Sequence, residues 1–105
     1  MNEIKNQRAK ELILRKASDF IQKESNGQSL ITVTNSSTSG DQKRMTVYVS
    51  VMPEIKEKAV IDFLKRQRSE FKKYIRENTR LNIIPHFDFE IDMGEKSRQR
   101  VDELL

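Results

Sequence analysis

No cysteine occurs among the 105 residues, which excludes disulfides and thiolate-held metals and fits a reducing cytosol. Glycine is nearly as scarce, with only Gly27, Gly40 and Gly94, and none of the three belongs to a phosphate-cradling loop. The single histidine, His86, follows a proline and has no nucleophile or second ligand paired with it, so a polar strand-edge role outweighs catalysis. The opening residues MNEIKNQRAKEL lack the apolar core of a signal peptide, and no apolar run approaches the length of a membrane span. These absences lead to the expectation of a cytoplasmic protein that is not an enzyme, carries no metal or cofactor and has no membrane partner; a monomer is expected as well.

What the chain does have is charge. Hydrophobic residues make up 35% and charged residues 34%, so the core must be economical and most of the surface ionic. Such a composition leans towards disorder, but the net charge is only +4 and the apolar residues are periodic, which favours a folded chain. Its length suits one domain spanning residues 1–105. A pI near 9.5 makes a polyanionic partner plausible without identifying it.

Periodicity gives the order of elements. Ala9, Leu12, Ile13, Ala17, Phe20 and Ile21 recur at helical spacing within a segment from about Asn2 to Glu24. Asn26-Gly27 stops that helix, with glycine suited to a left-handed cap. LITVTN reads as a strand with Ile31 and Val33 on one face, and SSTSGDQK reads as a turn or loop. RMTVYVSVM is the cleanest strand, with Met45, Val47, Val49 and Val51 alternating against Thr46, Tyr48 and Ser50. Pro53 opens a helical stretch that runs from about Ile55 to Asn78. After Pro85, HFDFEID is a last strand with Phe87, Phe89 and Ile91 inward and Asp88, Glu90 and Asp92 outward. EKSRQRVDELL predicts a short helical tail. Helices on one face of a three-stranded sheet make an α+β two-layer sandwich.

The stretch KRQRSEFKKYIREN, from Lys65, is the most informative. Placed at helical steps, Val60, Phe63, Leu64, Gln67, Phe71, Tyr74 and Ile75 share one sector. Lys65, Arg66, Arg68, Lys72, Lys73, Arg76 and Arg80 share the opposite one. A solvated face braced by helix ion pairs would mix signs four residues apart. Asp62–Arg66 and Lys73–Glu77 have that spacing, but most of the cations have no acidic neighbour in sequence. Clustered like charges cost stability, and phosphates would neutralise them; arginine can also grip phosphate with two parallel donors. The outward acids of the last strand argue against nucleic acid lying across the sheet, and Tyr48 is the only obvious stacking aromatic there. The same acids suggest two other readings: a docking face for a basic protein, and a magnesium site for nuclease chemistry.

The order helix, strand, strand, helix, helix, strand is that of a type II KH domain, and LITVTNSSTSGDQKRMTVYVSV resembles the hairpin of the ribosome-binding factor A family. Ile31-Thr32-Val33-Thr34, Ser39-Gly40-Asp41 and Thr46-Val47-Tyr48-Val49-Ser50-Val51 carry that likeness. RLNIIPHFDFEID resembles the family's Leu-Arg-x-x-Pro-x-Leu-x-Phe segment, and VDELL its Ile-Asp-x-Leu-Leu ending. The chain departs from the family at Asn26-Gly27-Gln28, where Asp-Pro-Arg is usual, and at Gln42, where leucine is usual. It departs also at the joint between the helices, where Gln67-Arg68-Ser69 stands for an Ala-x-Gly kink. Serine can cap a second helix, so either a kink at Ser69 or a nearly continuous helix is open.

The resemblance implies a type II KH-like fold and a non-catalytic assembly factor. Such a factor binds the 30S ribosomal subunit and its precursor and assists maturation of the 5′ end of 16S rRNA. It makes the cations from Lys65 to Arg80 the expected rRNA contacts, with Lys43 and Arg44 at the hairpin's end as secondary ones.

Overall fold

The computed structural model describes residues 7–25 and 27–94. Within them the chain runs α1 (Gln7–Glu24), β1 (Leu30–Thr38), β2 (Arg44–Met52), a short 3₁₀ turn (Glu54–Lys56), α2 (Glu57–Arg66), α3 (Arg68–Asn78) and β3 (His86–Ile91). The expected α+β architecture is present, with three helices against a three-stranded sheet. The predicted C-terminal helix lies outside the described residues. Among the described residues, no helix is long and apolar enough to cross a membrane.

Helix α1 buries Ala9, Ile13, Ala17, Phe20 and Ile21 of the expected stripe, whereas Leu12 is only partly covered and Leu14 packs against the core. Ser25 N–H still donates to Ile21 O at 2.9 Å, and Gly27 then turns the chain with φ +77°, a conformation that glycine adopts without strain.

The sheet is mixed, in the order β1-β2-β3. β1 pairs antiparallel with β2 from Leu30 opposite Met52 to Thr38 opposite Met45, with a bulge between Val33 and Asn35. This strand is longer than LITVTN, because Ser36, Ser37 and Thr38 each find a partner in β2. Serine and threonine look like loop residues in isolation, but the neighbouring strand supplies the ladder. The true turn is Ser39–Lys43. There Ser39 Oγ donates to Asp41 Oδ1 at 2.7 Å and accepts from Arg44 N–H at 3.1 Å. Asp41 Oδ1 also accepts from Lys43 N–H at 3.0 Å.

β3 lies parallel to β2, with Arg44 opposite His86 and Val49 opposite Ile91. Met45, Val47, Val49 and Val51 are buried on the helix side together with Phe87 and Phe89. Phe71 of α3 is fully buried at the centre, its ring 5.2 Å from Phe20, 4.6 Å from Phe87 and 5.5 Å from Phe89. These tilted and edge-on contacts tie α1, α3 and β3 into one core. Val60, Leu64 and Ile75 complete the buried side of α2 and α3, with Phe63 and Tyr74 partly covered.

The helical stretch after Pro53 is divided. Ile55 lies in the 3₁₀ turn and is 87% exposed. A second break falls at Gln67, whose φ −93° and ψ 6° leave the helical region without needing a positive φ. Its N–H is shared between Phe63 O at 3.2 Å and Leu64 O at 3.0 Å, and its carbonyl accepts from Phe71 N–H at 2.8 Å. The helix is therefore interrupted at one residue and resumes. Of the expected joint residues Gln67, Arg68 and Ser69, only the first is non-helical; Ser69 does not cap, because it already sits in the first turn of α3.

Candidate nucleic-acid interface

The cations from Lys65 to Arg80 fall into groups with different surroundings. Lys65, at the end of α2, is not unpaired as its sequence neighbours suggest. Its Nζ lies 2.8 Å from Asp88 Oδ1 and 3.0 Å from Glu90 Oε1, both on β3. Arg68, at the start of α3, donates through Nε to Lys65 O at 2.9 Å and faces Asp88 Oδ1 through a terminal nitrogen at 3.5 Å. One guanidinium thus serves a carbonyl at the helix break and the carboxylate beside it. Lys65 and Arg68 form a clamp that fastens the α2–α3 joint to the edge strand.

The clamp also governs ionisation. Partial burial works against the charged form of Asp88, but the Lys65 hydrogen bond, the Phe89 N–H and the charges of Lys65 and Arg68 outweigh it. The carboxyl is held below its ordinary 3.8. Burial likewise works against the Lys65 ammonium, and Asp88 and Glu90 outweigh it and raise that group above 10.5.

The rest of the cationic stretch is open. Arg66 is exposed and lines a separate cleft with Glu24, Lys56 and Phe63, on the α1 side. It does not pair with Asp62, which is held instead by Lys58 at 3.1 Å. Lys72 Nζ lies 3.3 Å from His86 Nδ1 and meets no carboxylate among the described residues. Lys73 approaches Glu77 only to 4.0 Å, with both side chains more than half exposed, so that pair contributes little. Arg76 is exposed and makes no ion pair among the described residues. Arg80 is also exposed and without an ion pair among them, but it does not belong to the helical sector. Helix α3 ends at Asn78, where Asn78 Nδ2 donates to Tyr74 O at 2.9 Å and Thr79 Oγ1 to Ile75 O at 2.8 Å. Thr79 is extended, so helical projection no longer places Arg80.

Of the two hairpin cations, Arg44 joins the group and Lys43 does not. Arg44 stands beside His86 in register and lines a cleft with Arg68 and Lys72. Lys43 is exposed, and its carbonyl accepts from His86 N–H at 2.9 Å.

The outward acids of β3 are engaged, not simply solvated. Asp88 and Glu90 hold Lys65, and Asp92 Oδ2 accepts from Thr34 Oγ1 of β1 at 2.6 Å. Asp88 and Glu90 share Lys65 while Asp92 turns to Thr34, and among the described residues no group of three or more His, Cys, Asp or Glu side chains could hold a metal ion. The clamp is invisible to helical projection, because Lys65 and Asp88 are 23 residues apart and meet only when β3 takes its edge position. A partial signal exists in the period-two acids Asp88 and Glu90, which demand cations from whatever helix lies along that edge. His86 gave no such signal.

Comparison with known proteins gives a consistent pattern. Residues 5–105 match the family model described as ribosome-binding factor A. Ribosome-binding factor A of Fervidobacterium nodosum is 33% identical over 79 residues, covering 74% of this chain and 63% of that protein. The match therefore spans less than two thirds of that relative's length. Ribosome-binding factor A of Coprothermobacter proteolyticus is 26% identical over 107 residues, covering 100% of this chain and 78% of that one. The crystal structure of ribosome-binding factor A from Thermus thermophilus superposes with a TM-score of 0.70 at 21% identity, covering 80% of this chain and 91% of its own. Coordinates of the Thermus thermophilus factor fitted into the cryo-EM map of a 30S complex give a TM-score of 0.68 at 21% identity, covering 81% and 92%.

Proposed function

Because the chain belongs to the ribosome-binding factor A family, we propose that it binds the immature 30S subunit in the cytoplasm and assists maturation of the 5′ end of 16S rRNA. On this reading it acts as a single domain over residues 1–105, as a monomer, by binding and not by catalysis. The Thermus thermophilus factor fitted into a 30S complex supports the choice of partner. The observation that carries the mode of binding is the contrast along the cationic stretch. Arg66, Lys72, Arg76 and Arg80 have no carboxylate partner among the described residues, whereas Lys65 and Arg68 are neutralised by β3. Phosphates of rRNA complete the first group, while the second fixes the joint between the helices. Arg44 extends the contact to the hairpin, with Lys73 and Lys43 at its margins.

Binding of this kind follows the RNA backbone. Cations on exposed side chains attract phosphate irrespective of sequence, and the sheet offers little for stacking bases. Docking of a basic protein on the acidic strand is the weaker reading, since Asp88, Glu90 and Asp92 already have partners within the chain.

Crosslinking of the purified chain to precursor small subunits, read at nucleotide resolution, tests the proposal. Crosslinks from α3 to 16S rRNA are expected. Crosslinks confined to ribosomal proteins, with none to rRNA, would overturn the mode of binding.

A further inference from the structure

An open cleft of ≈ 590 Å³ lies where the start of β2, the first turns of α3 and the start of β3 meet. Arg44, Arg68, Lys72 and His86 line it, with Asp88 as its one carboxylate. Asp88 is already occupied: its Oδ1 accepts from Lys65 Nζ at 2.8 Å and from Phe89 N–H at 2.8 Å. The cleft is left with an excess of positive charge contributed by separate elements, since Arg44 and His86 are register partners across β2 and β3.

The contact between Lys72 Nζ and His86 Nδ1, at 3.3 Å, sets the imidazole's hydrogen. An ammonium has donors only, so as a hydrogen bond this contact takes Nδ1 as its acceptor and leaves the ring hydrogen to Nε2. His86 thereby keeps a donor for the cleft that it lines. Arg44 supplies a planar fork and Lys72 two further ammonium donors.

We propose that this cleft is the seat of one backbone phosphate of the bound RNA, held by Arg44 and Lys72 with the Nε2–H of His86 as a third donor. The inference rests on the rRNA-binding reading and deepens it. A convex row of arginines attracts a strand without orienting it, whereas donors converging from a hairpin, a helix and an edge strand fix its register. His86, the residue with no catalytic companion in the sequence, becomes a positioning contact.

The test is an NMR titration of the isotope-labelled chain with a short single-stranded RNA oligonucleotide and, separately, with inorganic phosphate. The expected result with RNA is a set of shifts at Arg44, Lys72 and the His86 ring, which keeps its hydrogen on Nε2. His86→Ala should weaken oligonucleotide binding by about tenfold, the worth of one hydrogen bond to a charged acceptor, and His86→Gln should recover part of it. His86 is exposed, so these replacements leave the core intact. Shifts confined to Arg76 and Arg80, with unchanged affinity for His86→Ala, overturn the cleft and leave the helix-face reading standing. Shifts at the cleft with inorganic phosphate but not with RNA make it a free-anion site and overturn the assignment to RNA. Failure of the unaltered chain to bind either the oligonucleotide or small subunits removes both readings together.

Discussion

At the α2 end of the cationic stretch, Lys65 holds two carboxylates at 2.8 and 3.0 Å, and its own carbonyl is capped by Arg68 at 2.9 Å. At the α3 end, Lys72 faces only an imidazole, and Arg76 meets no acid among the described residues. Both ends look alike in sequence: lysines and arginines spaced along one helical face. The difference arises in the sheet, because β3 carries Asp88 and Glu90 past the first end and His86 past the second. Clustered cations can therefore serve the fold or a ligand, and the partner that the tertiary structure brings decides which.

The hardest way to break the comparison is to remove what both ends stand on. Phe71→Ala should cost about 3–5 kcal/mol, since a fully buried ring touching three others leaves a cavity. Urea unfolding measures it, and loss of binding in that variant should follow unfolding. A smaller but still large effect is ionic. If Arg66, Lys72, Arg76 and Arg80 neutralise four phosphates, raising salt from 50 to 200 mM should weaken binding to small subunits roughly 50-fold. Fluorescence titration across that range gives the slope.

The clamp should act on stability and only weakly on binding. Asp88→Ala should destabilise the chain by about 1 kcal/mol or less, because Lys65 and Asp88 are each about a third exposed. A double-mutant cycle with Lys65→Met isolates the pair. The smallest effect is a matter of pH. The Asp88 carboxyl is lowered on folding, so its stabilisation is present above the ordinary 3.8 and disappears as pH falls through the folded value. Lys65 is raised, so its share is present below 10.5 and goes only as pH rises through the folded value. The pair itself adds no pH dependence between these limits, and Asp88→Asn should shallow the acid limb of stability followed by circular dichroism.

Much of this was legible in the residues themselves. The alternation of RMTVYVSVM placed four side chains in the core, and the apolar positions from Val60 to Ile75 identified the buried side of α2 and α3. Both follow from short periodicities that one segment carries alone. Three features were not legible, because each depends on a neighbour. Ser36–Thr38 became strand only because β2 lies alongside. The break fell at Gln67, where the Arg68 side chain reaches back to Lys65 O. Lys65 was paired only once Asp88 and Glu90 arrived from β3. Arg80 illustrates a different failure: a helical projection carried past Thr79, where the helix had ended.

The central claim is that the cations without a carboxylate partner bind rRNA while Lys65 and Arg68 hold the joint, and paired neutralisations compared by co-sedimentation with small subunits test it most directly. Lys72→Gln with Arg76→Gln and Arg80→Gln should weaken co-sedimentation about tenfold or more, while the chain stays folded. Lys65→Gln with Asp88→Asn should leave binding within about threefold of the unaltered protein, since a neutralised pair offers phosphate no net charge. Unchanged co-sedimentation of the first variant, or equal loss in the second, would contradict the account.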